Sequence, residues 1–135
     1  MLGFDQTITV YYSVYNAATG FDDYFRAVIR GVSWYSRIKA VASSTGLVYD
    51  RLFQVRIPNS AETDKEYAAP DLLENPEEQY TLKAATRIIK GEGPPAPTDG
   101  KEWAALLAGR DEAFSVLDYR DNRRIGLKHL YVEGK

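Results

Sequence analysis

At 135 residues, 44% hydrophobic and 27% charged, the chain has the size and composition of one globular domain with a single core. Seventeen basic against nineteen acidic residues leave a formal net charge of −2, which gives no argument for a general attraction to nucleic acid or anionic lipid. The lack of cysteine excludes disulfides and thiolate zinc sites, and ten tyrosines tilt the composition toward β structure.

The opening MLGFDQTITVYYSVY has no basic leader and no continuous apolar run, so neither a signal peptide nor a membrane span is expected; synthesis in a reducing cytosol fits. From Thr7 to Tyr15 the chain alternates, with Ile8, Val10, Tyr12 and Val14 on one face and Thr7, Thr9, Tyr11 and Ser13 on the other. That is a strand with one buried face. Asn16–Asp23 carries turn chemistry. In the second extended stretch, Tyr24–Ala40, Phe25, Ala27 and Ile29 share one parity while Val32, Trp34 and Ile38 share the other. The apolar face slips by one residue, which predicts a β-bulge or bend at Gly31.

Ser43–Gly46 reads as a tight turn, and Leu52–Pro58 as a third strand with Phe53, Val55 and Ile57 inward. Ser60–Tyr80 holds seven acids (Glu62, Asp64, Glu66, Asp71, Glu74, Glu77, Glu78) against one base, Lys65. Together with Pro70 and Pro76 this predicts an exposed acidic loop, with one helical turn at Asp71–Glu74. Tyr80–Glu92 fits either a helix face (Leu82, Ala85, Ile88, Ile89) or two short strands around Ala84–Thr86. After the stiff Gly93–Gly100 loop, Asp99 and Glu102 form a capping-box pattern. They predict a helix to Gly109 with Trp103, Leu106 and Leu107 as its apolar stripe. Ala113–Tyr119 and Leu127–Glu133 are the last two strands. The expected fold is mainly β: one domain, a small barrel or sandwich of about six or more strands, with one short helix.

Chemistry is hard to find. The single histidine, His129, lies in the last strand, with no sequence signal of a nucleophile beside it. There is no His/Cys cluster, no calcium loop and no Walker lysine after Gly91-Glu92-Gly93. No catalytic residue, metal or cofactor is expected, and the balance tilts away from an enzyme. Arg26, Arg30, Arg37 and Lys39 on the second strand, with Arg120, Arg123, Arg124 and Lys128 near the last turn, would form an OB-like surface for single-stranded nucleic acid if they met. Solubility and edge protection are the stronger account, because the overall balance is acidic and acids lie near enough to neutralise them.

Three elements occur in an order that resembles a known family. The first is TITVYYSVYN followed by YFRAVIRGVSWYSR, whose Gly31, Val32 and Trp34 match a GV-W element. The second is VRIP (Val55–Pro58) with RIIKGE (Arg87–Glu92) downstream. The third is the closing DYRDNRRIGLKHLYVEGK. The set resembles minor capsid or head–tail connector proteins of tailed phages and Gram-positive prophages. That family usually has glycine-aspartate before its I-V-K-G element, where this chain has Ala84-Ala85-Thr86. The resemblance implies a β-rich virion part, made in the bacterial host cytoplasm. It would assemble as a ring below the portal, with portal, adaptor and tail proteins as partners and possible DNA contact. The acids Glu62, Asp64 and Glu66 and the bases Arg120, Arg123, Arg124 and Lys128 are then candidates for complementary contacts between neighbours.

Overall fold

A computed structural model describes residues 4–123 and 129–135. Their strands are β1 (Gln6–Asn16), β2 (Phe21–Ser43), β3 (Gly46–Pro58), β4 (Glu62–Thr63), β5 (Glu66–Tyr67), β6 (Gln79–Tyr80), β7 (Arg87–Lys90), β8 (Ala113–Asp121) and β9 (His129–Gly134). The helix α1 (Gly100–Ala105) lies between β7 and β8. Six strands run antiparallel in the order β1-β7-β8-β9-β3-β2, and pairing of β2 with β1 closes them into a barrel. Closure removes the exposed edges that an open sheet would carry.

Alternation in each strand fills the barrel. Ile8, Val10 and Tyr12 of β1 meet Ala27 and Ile29 of β2, Phe53, Val55 and Ile57 of β3, Phe114 and Val116 of β8, and Leu130 and Val132 of β9. At one end, Phe53 and Phe114 stack with centroids 5.3 Å apart, and Trp34 tilts against both at 5.5 Å.

The expected slip in β2 is present. Register runs Gln6↔Val32 and then Thr7↔Arg30, so Gly31 is the extra residue, at φ +86°. Ile29 before it and Val32 after it are both fully buried. A β-carbon there would meet only ordinary contacts, Phe4 O at 3.7 Å and Ala61 Cα at 3.8 Å. The cost of Gly31→Ala is therefore conformational. Denaturant unfolding will show a loss of about 1–2 kcal/mol with an unchanged slope.

Several expectations need correction. β1 is buried on both faces, not one. Thr9 and Tyr11 are fully covered by the Gly91–Pro94 segment and α1. The Thr9 hydroxyl donates to Gly91 O (2.8 Å) and accepts from Gly93 N–H (2.9 Å), and the Tyr11 hydroxyl donates to Pro94 O (2.6 Å). The helix is shorter than Asp99–Gly109: α1 ends at Ala105, and a turn carries the chain to Gly109 (φ +72°). Its cap is as expected, with Asp99 accepting from Glu102 N–H (2.8 Å) and Glu102 accepting from Thr98 N–H (2.9 Å). The Tyr80–Glu92 ambiguity resolves to the strand alternative, β6 and β7 around a turn at Ala84–Ala85.

The acidic stretch keeps its carboxylates outside, but its backbone forms part of the wall. β3 stops at Pro58, and β4 takes up the pairing with β2 through Arg30↔Glu62 and Ile29↔Thr63. Asp64 extends it, donating from its N–H to Val28 O and accepting from Val28 N–H on its carboxylate. β5 and β6 then pair in parallel and bring Tyr67, Ala68 and Tyr80 onto the core. The helical turn expected at Asp71–Glu74 is replaced by isolated turns at 70–72 and 76–78. Prolines at their first positions favour turns and oppose helix continuation.

Candidate interaction surfaces

Just past β8 the described residues end at Arg123. Arg123 is clamped on Asp121, with Nε to Oδ1 and Nη2 to Oδ2 both at 2.8 Å, and the Arg123 N–H also donates to Asp121 Oδ1 (3.1 Å). The fork geometry suits a carboxylate. Its guanidinium lies 5.1 Å from the centre of the Tyr67 ring in the acidic segment. Arg120 lies 3.5 Å from Asp118 and over Tyr131. Arg124 and Lys128 lie outside the described residues. The structure thus brings Arg123 beside the acidic segment of its own chain.

The acids divide between two shallow recesses. Glu66 lines one of about 510 Å³ with Glu74, Glu78 and Lys65, and Asp64 reaches it as well. Glu62 and Asp64 line another of about 320 Å³ with Arg26, Arg30 and Glu92. Glu92 lies 3.9 Å from Arg26 and 3.7 Å from Arg30, so this basic pair on β2 is balanced locally. Arg26 also donates to Gly93 O (2.7 Å).

Lys65 secures the acidic segment. Its ammonium donates to the Tyr12 hydroxyl (3.1 Å) and Pro76 O (3.4 Å), and it sits over the Tyr12 and Phe25 rings. Burial lowers its pKa, against the pull of Asp64 and Glu77. The Tyr12 hydroxyl lies 2.6 Å from Pro76 O and 2.7 Å from Gln79 O. Burial raises the pKa of Tyr12, Tyr67 and Tyr80, with Tyr67 pushed up to about 12. Each favours its neutral form because the interior resists a phenolate. Among the described residues, no group of three His, Cys, Asp or Glu is arranged to hold a metal ion, and no helix is long and apolar enough to cross a membrane. His129 opens β9, opposite Pro58, and its carbonyl accepts from Asn122 N–H.

Two surfaces escaped the sequence reading. The first is an arm. β1 pairs β2 only as far as Val32, and β9 pairs β3 only from Phe53 onward. Between them, Arg37↔Leu52 to Ser43↔Gly46 form a two-stranded ribbon with no third strand among the described residues. Ile38, Ala40, Ala42 and Leu47 continue the face that carries Val32, Trp34, Phe53 and Val55 into the barrel. They run past its end, leaving Ile38 70% and Leu47 63% exposed. Its trace in the sequence is the apolar content on either side of the Ser43–Gly46 turn, which does not distinguish an arm from a barrel wall. The second surface is a groove of about 770 Å³ at the β1–β2 turn, the opposite end of β2. Tyr15, Phe21, Asp22, Asp23, Tyr24, Thr98 and Asp99 line it; Tyr15 and Phe21 are largely exposed.

By fold, this is a closed six-stranded antiparallel β-barrel protein with a projecting two-stranded arm. The profile of a family of unknown function (DUF6751) matches residues 3–135, and the chain belongs to that family. No curated protein and no solved structure matches it.

Proposed function

We propose that the chain is a structural protein of a tailed-phage or prophage virion. It acts at the head–tail junction, as a connector, stopper or minor capsid protein, through protein–protein contacts. Its neighbours are portal or adaptor and tail proteins and further copies of itself in a ring. The observation that carries this reading is the arm. An isolated two-stranded ribbon is marginal in water, and this one holds apolar side chains and two strand edges away from its own core. Such an element gains its stability from a neighbour. The ordered motifs of the sequence point the same way. Local balancing of the arginines by Glu92, Asp118 and Asp121 favours protein contacts over a nucleic-acid track.

The test is genetic and structural. Mass spectrometry of particles purified after prophage induction will find the chain in the virion, and electron microscopy of a deletion strain will show heads without tails. Normal tailed particles from the deletion strain, or its absence from purified particles, would refute the proposal.

A further inference from the structure

Building on the proposed self-association, we infer that the arm of one copy seats in the end groove of the next. The contact is head-to-tail between two different surfaces, both present on every chain.

The two surfaces match in chemistry. The arm offers an uncovered apolar face, Ile38, Ala40, Ala42 and Leu47. Beside it Arg37 is exposed, and the sequence adds Lys39 against Asp50, while Arg51, opposite Ile38, is held at the barrel by Asp111 O (3.3 Å) and Ser36 Oγ (3.4 Å). The groove offers exposed Tyr15 and Phe21 for apolar contact and three carboxylates, Asp22, Asp23 and Asp99, for the basic arm. Opposite charges around an apolar centre give both orientation and affinity.

They also match in placement. Phe21 and Ser43 are the two ends of β2, a strand of 23 residues. At about 3.3 Å per residue its ends are up to about 70 Å apart, and the bend at Gly31 is its one break in register. The tip of a chain's arm therefore points away from its own groove. A groove lined partly by the β1–β2 turn must take the arm of another copy. Contacts between unlike surfaces do not terminate in a dimer. They propagate, and they close as a ring when the rotation per copy allows it.

The experiment uses the full-length chain with two sets of exposed substitutions. The arm variant is Ile38→Asp with Leu47→Asp. The groove variant is Phe21→Lys with Asp22→Lys and Asp23→Lys. Analytical ultracentrifugation should show concentration-dependent oligomers for the unmodified chain, and self-association at least about tenfold weaker for each variant. Unchanged circular dichroism and thermal midpoints will establish that both variants are folded. The decisive sample is the mixture. The arm variant keeps a sound groove and the groove variant a sound arm, so together they form a one-to-one heterodimer that grows no further.

An unmodified chain that stays monomeric to about 1 mM would overturn the inference. So would folded variants that associate like the unmodified chain, or a mixture that stays monomeric. None of these results would remove the chain from the virion. The function proposed above fails instead by absence from purified particles, so the two failures are distinguishable.

Discussion

Phe114→Ala will cost about 3–5 kcal/mol of folding stability, the usual range for emptying a buried aromatic site. Phe114 is fully buried and stacks on Phe53 with planes only 8° apart, while Trp34 leans on both rings. This cluster covers the barrel interior where the arm departs, so the space cannot be filled by collapse without moving β3. For a chain of this size the thermal midpoint should fall by roughly 10–20 °C. Leu117→Ala is the matched comparison. Leu117 is the extra residue where β8 shifts register against β9 and is 58% exposed, so its removal should change stability by less than about 0.5 kcal/mol. Equal losses from the two substitutions would mean that the barrel core is not where it has been placed.

Alkali will unfold the protein, and the tyrosines around the acidic segment set the window. Tyr67 is pushed up to about 12, and Tyr12 and Tyr80 are also raised, all chiefly by burial. Unfolded, each returns to about 10. Between these values the unfolded chain has released protons that the folded chain keeps, so stability is full below pH about 10 and falls as pH rises. Each retained proton contributes a slope of about 1.4 kcal/mol per pH unit, up to about 4 for the three together. Lys65 acts in the opposite direction. Its lowered pKa makes the folded state bind fewer protons, so its contribution rises with pH and is complete by about 10.5. Above that only the tyrosine loss remains. Denaturant unfolding from pH 9 to 12, followed beside tyrosine absorbance near 295 nm, tests this. All ten tyrosines titrating together near pH 10, or stability flat through pH 11.5, would sink it.

Much of the fold was legible because period-two patterning reports which face is buried. The parity switch across Gly31 located a bulge to the residue, and the Asp99–Glu102 pattern located the helix start. What failed has physical causes. Thr9 and Tyr11 read as an outer face because their cover, the Pro-rich segment after Gly91, carries no periodicity and joins them through hydroxyl–carbonyl bonds. The acidic segment read as a free loop because charge dominates its composition, while the ladder along β2 uses main-chain groups that composition does not record. The Ala84–Ala85 turn gave no turn signal. Ala85 adopts φ +71°, a place where turn chemistry puts glycine. Of the candidate interaction residues, sequence named the charges but could not show that Arg123 is held by Asp121 and Tyr67 of its own chain. The arm remained invisible as an arm, because a strand that outruns its partners looks the same in sequence as one that does not.

Barrel closure also fixes an order of events in folding. β1, β2 and β3 are consecutive hairpins and form from near neighbours, whereas β1 must find β7 and β3 must find β9 across most of the chain. Thr9 and Gly91, joined by a hydrogen bond, are 82 positions apart. Long loops must close before those contacts repay the lost freedom, so this topology belongs with slow folders of high contact order. Until β9 slots between β8 and β3, the edge of β3 stays open along Phe53–Pro58. Slow closure leaves the nascent protein exposed to aggregation, and its yield will depend on temperature and on chaperones more than its final stability would indicate.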